Sequence, residues 1–220
     1  DVVDMAAITA FCGGAGSGIT GYVSIFYDQS GNALNLIQNT ATSQLKIVAD
    51  GDSFYLWNGH PRIKDASRRS MGTAFFTSVP AGSSFTMFSC CHHGAHNNWW
   101  GLFTMFNSGQ LNGLAGGYTS QFYVKDYYTN VIIGTITPPS SQFNLGTTIW
   151  NDTPNDTSLF VNGTADGTVN TYTPKAYNKF FIPYTSSTDE AGLVELIFYP
   201  SDMSADRAAI DSNILNYYGI

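Results

Sequence analysis

Charge is scarce in this chain. Only 11% of its residues are Asp, Glu, Lys or Arg, and 9 basic against 16 acidic side chains leave a net charge of −7. So few cations give no basic stripe able to neutralise a phosphate backbone, which excludes nucleic acid as an expected partner. The one basic cluster, Arg62, Lys64, Arg68 and Arg69, sits among Pro61, Asp65 and Ser67 and reads as a solvated loop. Cysteine is scarce as well: Cys12, Cys90 and Cys91. An odd number this small cannot build a disulfide framework, so stability has to come from a packed core. No apolar run approaches the roughly 20 residues that would carry a helix across a bilayer, so membrane insertion is not expected. No charged-then-apolar leader opens the chain; it starts at Asp1 without an initiator Met, and the expectation is a processed product or a piece of something longer.

What is present is aromatic and small-polar. Phe, Tyr and Trp make up 15% of the 220 residues, and Gly, Ser, Thr and Asn fill the connecting stretches. That balance favours a β-rich surface of extracellular or virion type, held soluble by amides and hydroxyls. Strand candidates are Tyr22–Tyr27, Lys46–Val48, Phe54–Trp57, Ala74–Thr77, Phe85–Ser89, Trp99–Phe106, Gln121–Lys125, Val131–Ile136, Thr147–Trp150, Ser158–Val161, Lys179–Ile182 and Leu193–Tyr199. Most are four to eight residues long, with Gly, Asn, Pro or Asp between them, the punctuation of a sandwich. No repeat or change of composition divides the chain, so residues 1–220 are expected to form one domain.

Two helices are expected. Asp4 caps Met5 to Phe11, with Gly13 and Gly14 as the stop. Near the other end Ser204 caps Ala205–Tyr218, which places Ala209, Ile210, Ile214 and Tyr217 on roughly one face, and Gly219 closes it. Phe160-Val161-Asn162-Gly163-Thr164 is a hairpin signal. It also explains Asn162 better than its Asn-x-Thr sequon does; Asn151 and Asn155 open two more such sequons nearby.

The segment Ile25-Phe26-Tyr27-Asp28-Gln29-Ser30-Gly31-Asn32, followed by Leu36, Gln38 and the strand-like Ser43–Val48, resembles the alpha-L-arabinofuranosidase B catalytic domain. It is similar also to the wider concanavalin A-like, laminin-G-like jelly rolls of phage tail and adhesin proteins. Tyr199-Pro200-Ser201-Asp202, leading into a helix with Ala209, Ile210 and Asn213, resembles the end of the same domains. The resemblance implies an all-β, concanavalin A-like jelly-roll β-sandwich with a short N-terminal helix and a C-terminal helix. By its own chemistry the turn is structural, since Asp28, Ser30 and Asn32 can bond neighbouring backbone and Gly31 supplies a positive φ.

Retaining glycoside hydrolysis needs two carboxyl groups about 5 Å apart. In the resembled family one comes from an Asp-x-Glu strand and one from a Gly-Gly-Asp loop. Here Asp126 matches the family's first Asp, a substrate-contacting position, but Tyr128 falls where the nucleophile belongs and Thr185 where the acid belongs. Asp189, Glu190 and Glu195 lie near the second position. No catalytic residue is therefore assigned.

Adjacent Cys90 and Cys91 resemble a vicinal pair that the same family joins at its sugar site. They stand as that bonded, ligand-facing pair or as ordinary buried thiols. Cys12 resembles a family cysteine whose partner is missing. The run Cys90-Cys91-His92-His93, with His96, has zinc-type ligands but no second ligand pair, and His60 stands alone, so no metal is assigned. Calcium could be held through Asp28, Asp50 or Asp52, but turn chemistry accounts for these equally well, so no cofactor is expected.

Sugars are recognised by aromatic faces together with amide, hydroxyl and carboxylate groups. Cys90, Cys91, His92, His93, Asn97, Trp99, Trp100, Asp126, Tyr128 and Tyr184 supply that mixture. Neighbours in a strand point to opposite faces, so at most one of Trp99 and Trp100 is free to stack. The expected function is non-catalytic binding of a glycan or cell-surface polysaccharide, as a receptor-binding or surface-decorating module of a phage virion or in an extracellular setting. Two alternatives stand beside it. One is a structural virion or appendage subunit whose aromatic surface contacts other virion proteins or further copies of itself. The other is an active, arabinofuranosidase-like glycoside hydrolase.

Overall fold

The strand candidates are realised as two stacked antiparallel sheets. A computed structural model describes residues 4–28, 33–65, 71–73, 79–93, 100–107, 110–118, 121–125, 130–139, 142–151, 156–169, 176–182, 184–185 and 191–220. The chain begins with α1 (Met5–Phe11), β1 (Gly21–Val23), β2 (Ile25–Phe26), β3 (Leu36–Ile37), β4 (Leu45–Ala49), β5 (Ser53–Phe54), β6 (Leu56–Trp57) and β7 (His60–Pro61). Next come β8 (Ile63–Asp65), β9 (Met71–Thr73), β10 (Phe85–His93), β11 (Trp100–Asn107), β12 (Gln110–Tyr118), β13 (Gln121–Lys125) and β14 (Asn130–Ile133). It ends with β15 (Phe143–Asn151), β16 (Asp156–Val161), β17 (Thr164–Val169), β18 (Lys179–Ile182), β19 (Tyr184–Thr185), β20 (Ala191–Tyr199) and α2 (Arg207–Tyr218).

The first sheet has the order β1-β4-β8-β20-β10-β15-β16-β17, with β5 beside β4; the second is β14-β13-β12-β11-β18-β9-β3-β2, with β19 beside β11. The expectation of an all-β jelly-roll sandwich with a helix near each end is met. Leu45, Ile63, Phe85, Met87, Trp150 and Leu193 of the first sheet meet Leu36, Met71, Phe122, Phe180 and Ile182 of the second in the core between them. Each such side chain contributes roughly 1.5–3 kcal/mol by leaving water. A second apolar cluster lies on the outer face of the first sheet: Phe88, Cys90, Phe143 and Leu145 pack against Ile214 and Tyr218 of α2, with Trp57 of the β6–β7 hairpin at its margin.

Several expected boundaries shift, for identifiable reasons. Tyr22–Tyr27 is two strands, β1 in the first sheet and β2 in the second, because the chain crosses between sheets at Ser24. Phe54–Trp57 divides in the same way between β5 and the separate β6–β7 hairpin. The basic stretch expected as a loop contains β8, which pairs with β4 and β20. Ala74–Thr77 lies outside the described residues. The Asn162-Gly163 hairpin forms as expected, with φ of 48° and 80° at the two turn residues. The Asn162 amide is used inside the fold: its Oδ1 accepts from Leu145 N at 2.8 Å and its Nδ2 donates to Asn144 Oδ1 at 3.0 Å.

Asp4 caps α1 through Ala7 N at 2.9 Å, as read from sequence. Helix α2 starts later than expected, because Asp202 Oδ1 accepts from Ser204 N at 2.8 Å and holds that segment in a turn. Its buried face is Asp211, Ile214 and Tyr218, spaced three and four residues apart, and Tyr217 of the expected stripe is 59% exposed. The helix is bolted down by polar groups as well. Asp211 accepts from Thr147 Oγ1 at 2.6 Å and is ion-paired with Arg207, whose guanidinium lies 4.0 Å over the Phe160 ring.

Candidate functional site

Strands β10, β20 and β8 end together at one end of the first sheet, where His93 pairs with Ala191 and Ala191 with Asp65. In the second sheet, Trp100 at the start of β11 pairs with Thr185 and Gly101 with Tyr184. The register thus brings Trp100 and Tyr184 to neighbouring strands. Asn97, Trp99, Asp126 and Tyr128 lie outside the described residues. Lys125, which precedes Asp126, pairs with Leu114, whereas Trp100 pairs with Gly117. Those rungs are three residues apart along β12, about 10 Å.

The adjacent cysteines do not form a sugar-facing pair. Cys90 and Cys91 are free thiols, 1% and 0% exposed. Consecutive strand residues point to opposite faces. Cys90 lies under α2 on the outer face, and Cys91 points into the core between the sheets. Burial pushes both thiols well above their ordinary range. The alternation also stops Cys90, Cys91 and His92 converging on one ion. A thiol-specific reagent should therefore leave Cys12, Cys90 and Cys91 unmodified in the native protein and titrate all three after unfolding in guanidinium. Fast native labelling of Cys90 or Cys91 would contradict this placement.

His92 returns to the outer face and stacks on Phe143, with ring centroids 5.5 Å apart. The Arg62 guanidinium lies 5.6 Å from the same ring centroid, and the Trp57 ring 5.0 Å from it. Arg62 and Trp57 were not singled out as site residues, because residues brought together by pairing across β8, β20, β10 and β15 carry no local sequence signal. Nearby, His60 stacks on Tyr217 at 4.6 Å, and Asn58 Nδ2 donates to Tyr218 O at 2.7 Å, tying the β6–β7 hairpin to the end of α2.

Three of the carboxylates read as candidate ligands or acids, Asp28, Asp50 and Glu195, are engaged within the framework, and Asp189 and Glu190 lie outside the described residues. Asp28 Oδ2 accepts from Leu34 N at 3.0 Å and Asp50 Oδ1 from Gly18 N at 2.7 Å, the turn chemistry expected of them. Glu195, near the position expected for the catalytic acid, bonds to Tyr218 beneath α2, and burial pushes its carboxyl up. Among the described residues no group of three or more His, Cys, Asp or Glu could hold a metal ion, and no helix is long and apolar enough to cross a membrane.

No protein-family model matches the chain, and no curated protein does. Solved structures do. The chain is similar to the binding domain of Paraclostridial Mosquitocidal Protein 1, with a TM-score of 0.66 at 14% identity over 90% of this chain and 52% of that one. It is similar to a structure of botulinum neurotoxin type C, whose cell entry depends on two ganglioside molecules, with a TM-score of 0.57 at 6% identity over 96% and 53%. It is similar also to the alginate lyase AlgAT5 of Polysaccharide Lyase family 7, with a TM-score of 0.50 at 12% identity over 82% and 93%. These likenesses show the fold alone, a β-sandwich. The chain spans about half the length of the two toxin chains.

Proposed function

We propose that the chain is a non-catalytic carbohydrate-binding module that attaches a larger assembly to a glycan-bearing surface. The observation that carries this reading is where the acids are. Among the described residues, buried Asp166 and Asp211 and half-buried Glu195 hold the framework, whereas cleavage of a glycosidic bond needs two carboxyl groups facing the sugar. Likeness in fold to toxin binding domains supports a binding role, and fold alone does not assign a ligand. A receptor-binding or surface-decorating place on a phage virion, outside the cell, is the setting we infer from the arabinofuranosidase-like and adhesin-like sequence segments. The second reading, an enzyme, is favoured by the likeness to a polysaccharide lyase over most of both chains.

A glycan array probed with the purified chain is expected to give a defined set of hits, weakened at least several-fold by Trp100→Ala. Incubation with alginate, or with a chromogenic arabinofuranoside, is expected to release no product. Turnover of either substrate would establish the enzyme, and a blank array would sink the binding reading.

A further inference from the structure

Helix α2 and the turn of the β16–β17 hairpin leave an open cleft of about 420 Å³ between them, lined by the turn and by one side of the helix. That volume lies within the range of small-molecule sites, roughly 300–1,000 Å³. Ala208 and Ser212, one helical turn apart, line it with small side chains, and Leu215 gives it an apolar floor. A Cβ on Gly163 would stand 3.9 Å from Leu215 Cδ1, and the Gly163 carbonyl accepts from Arg207 Nη1 at 3.4 Å, so the turn rests on the helix at both points. Neither wall is free to collapse. Both polar ends of the Asn162 amide are bonded to β15. The Arg207 guanidinium is held 4.0 Å over the Phe160 ring and paired through Nη1 with Asp211. An arginine has five N–H donors, and those on Nε and Nη2 of Arg207 have no protein partner among the described residues. On the rim, the Thr164 hydroxyl is exposed, and so is Asn216, whose Nδ2 donates to Ser212 Oγ at 3.3 Å and leaves Oδ1 as an acceptor.

We propose that this cleft is a second saccharide site, which takes a single neutral sugar ring. It lies between α2 and the first sheet's β16–β17 hairpin, whereas Trp100 and Tyr184 belong to the second sheet, so it adds a site to the carbohydrate-binding reading and stands on its own chemistry. Asp211 compensates the charge of Arg207, and the remaining N–H groups still donate. Hydroxyl oxygens match such donors, because they accept without bringing charge. Asn216 Oδ1, Thr164 and Ser212 can accept from the sugar hydroxyls in return. Leu215 and the Gly163 backbone offer an apolar surface to the C–H face of the ring. A phosphorylated ligand fits less well. It would meet one cation among the lining residues, already paired, on a molecule that carries −7. Because turn and guanidinium are fixed before binding, little ordering is left to oppose it.

The test is an NMR titration of the isotope-labelled intact chain with glucose, galactose, mannose, arabinose and N-acetylglucosamine in turn. At least one of them should shift the amides of Gly163, Thr164, Ser212 and Asn216 together, half-saturating at about millimolar concentration, as suits one ring in an open cleft. Thr164→Val/Asn216→Ala, at two exposed positions, should leave the melting temperature unchanged and raise the half-saturating concentration about tenfold. Ala208→Phe, which fills the cleft from the exposed side of α2, should abolish the shifts, and Trp100→Ala should leave them as they are. Shifts that survive both cleft variants, or equal shifts with glycerol, would overturn the inference. Shifts with sodium sulfate and none with sugar would reassign the cleft to an anion and overturn it too. If no sugar moves these amides the second site is lost, and the carbohydrate reading then rests on array hits that depend on Trp100. Unmoved amides together with a blank array would sink both.

Discussion

Asp211→Ala is expected to destabilise the protein by about 3 kcal/mol or more, read as a shift of the urea unfolding midpoint at unchanged slope. Asp211 is 2% exposed, and its partner Arg207 retains only 18% of its side-chain exposure. Removing the carboxylate leaves a guanidinium in a poorly solvated position and strands the Thr147 hydroxyl on the buried face of β15. Arg207 keeps two other anchors, the face of Phe160 and the carbonyl of Gly163 at 3.4 Å, which holds the loss below the top of the usual range. Asp211→Asn retains the Thr147 contact without the charge and should fall between the two. Thr147→Val in the Asp211→Ala background should add little, since both changes remove the same bond. A loss near zero for Asp211→Ala would mean that α2 is held by Ile214 and Tyr218 alone.

The contrast between α2 and the strands explains how much could be read from sequence. Gln121–Lys125 and Lys179–Ile182 were legible to the residue, because β-branched and aromatic side chains dominate them and turn residues flank them. Strand β12 was missed. It contains Gly113, Gly116 and Gly117, which have no side chain to signal a pleat, and it exists because β11 and β13 supply its ladder on both sides. Strand β8 was hidden by Arg62 and Lys64, whose charge suggested solvent although Ile63 between them points into the core. On α2 the buried Asp211 breaks the apolar stripe, so the sequence favoured Tyr217 over Tyr218 as the packed residue.

The same limit governed the site. His92, Trp100 and Tyr184 could be named from residue type, because aromatic and imidazole side chains bordering a turn carry a local signal. Arg62 and Trp57, which gather with His92 around Phe143, could not, since they lie on separate strands and only the register brings them together. Cys90 and Cys91 went the other way. Their adjacency in sequence suggested adjacency at a surface, and the pleat of β10 separates them onto two faces.

Asp166→Ala should cost about 2–4 kcal/mol, because this one carboxylate seals an open edge of the sandwich. Strands β17 and β14 are the outermost strands of the first and second sheets on the same side. Asp166, on β17 and 7% exposed, accepts from Thr135 N at 2.7 Å, Thr135 Oγ1 at 3.1 Å and Ile136 N at 2.8 Å, all just beyond β14. Truncation leaves two backbone N–H groups without their acceptor and unlinks the two sheets. Gly134 shows how closely the parts fit: a Cβ there would fall 1.8 Å from Asp166 Oδ2. Gly134→Ala should therefore cost about 1–3 kcal/mol by overpacking in the parent. In the Asp166→Ala background the same substitution should cost far less, since the atoms it would strike are gone. Urea unfolding of the two single variants and the double variant measures that coupling, and strict additivity would show that Asp166 does not rest against Gly134.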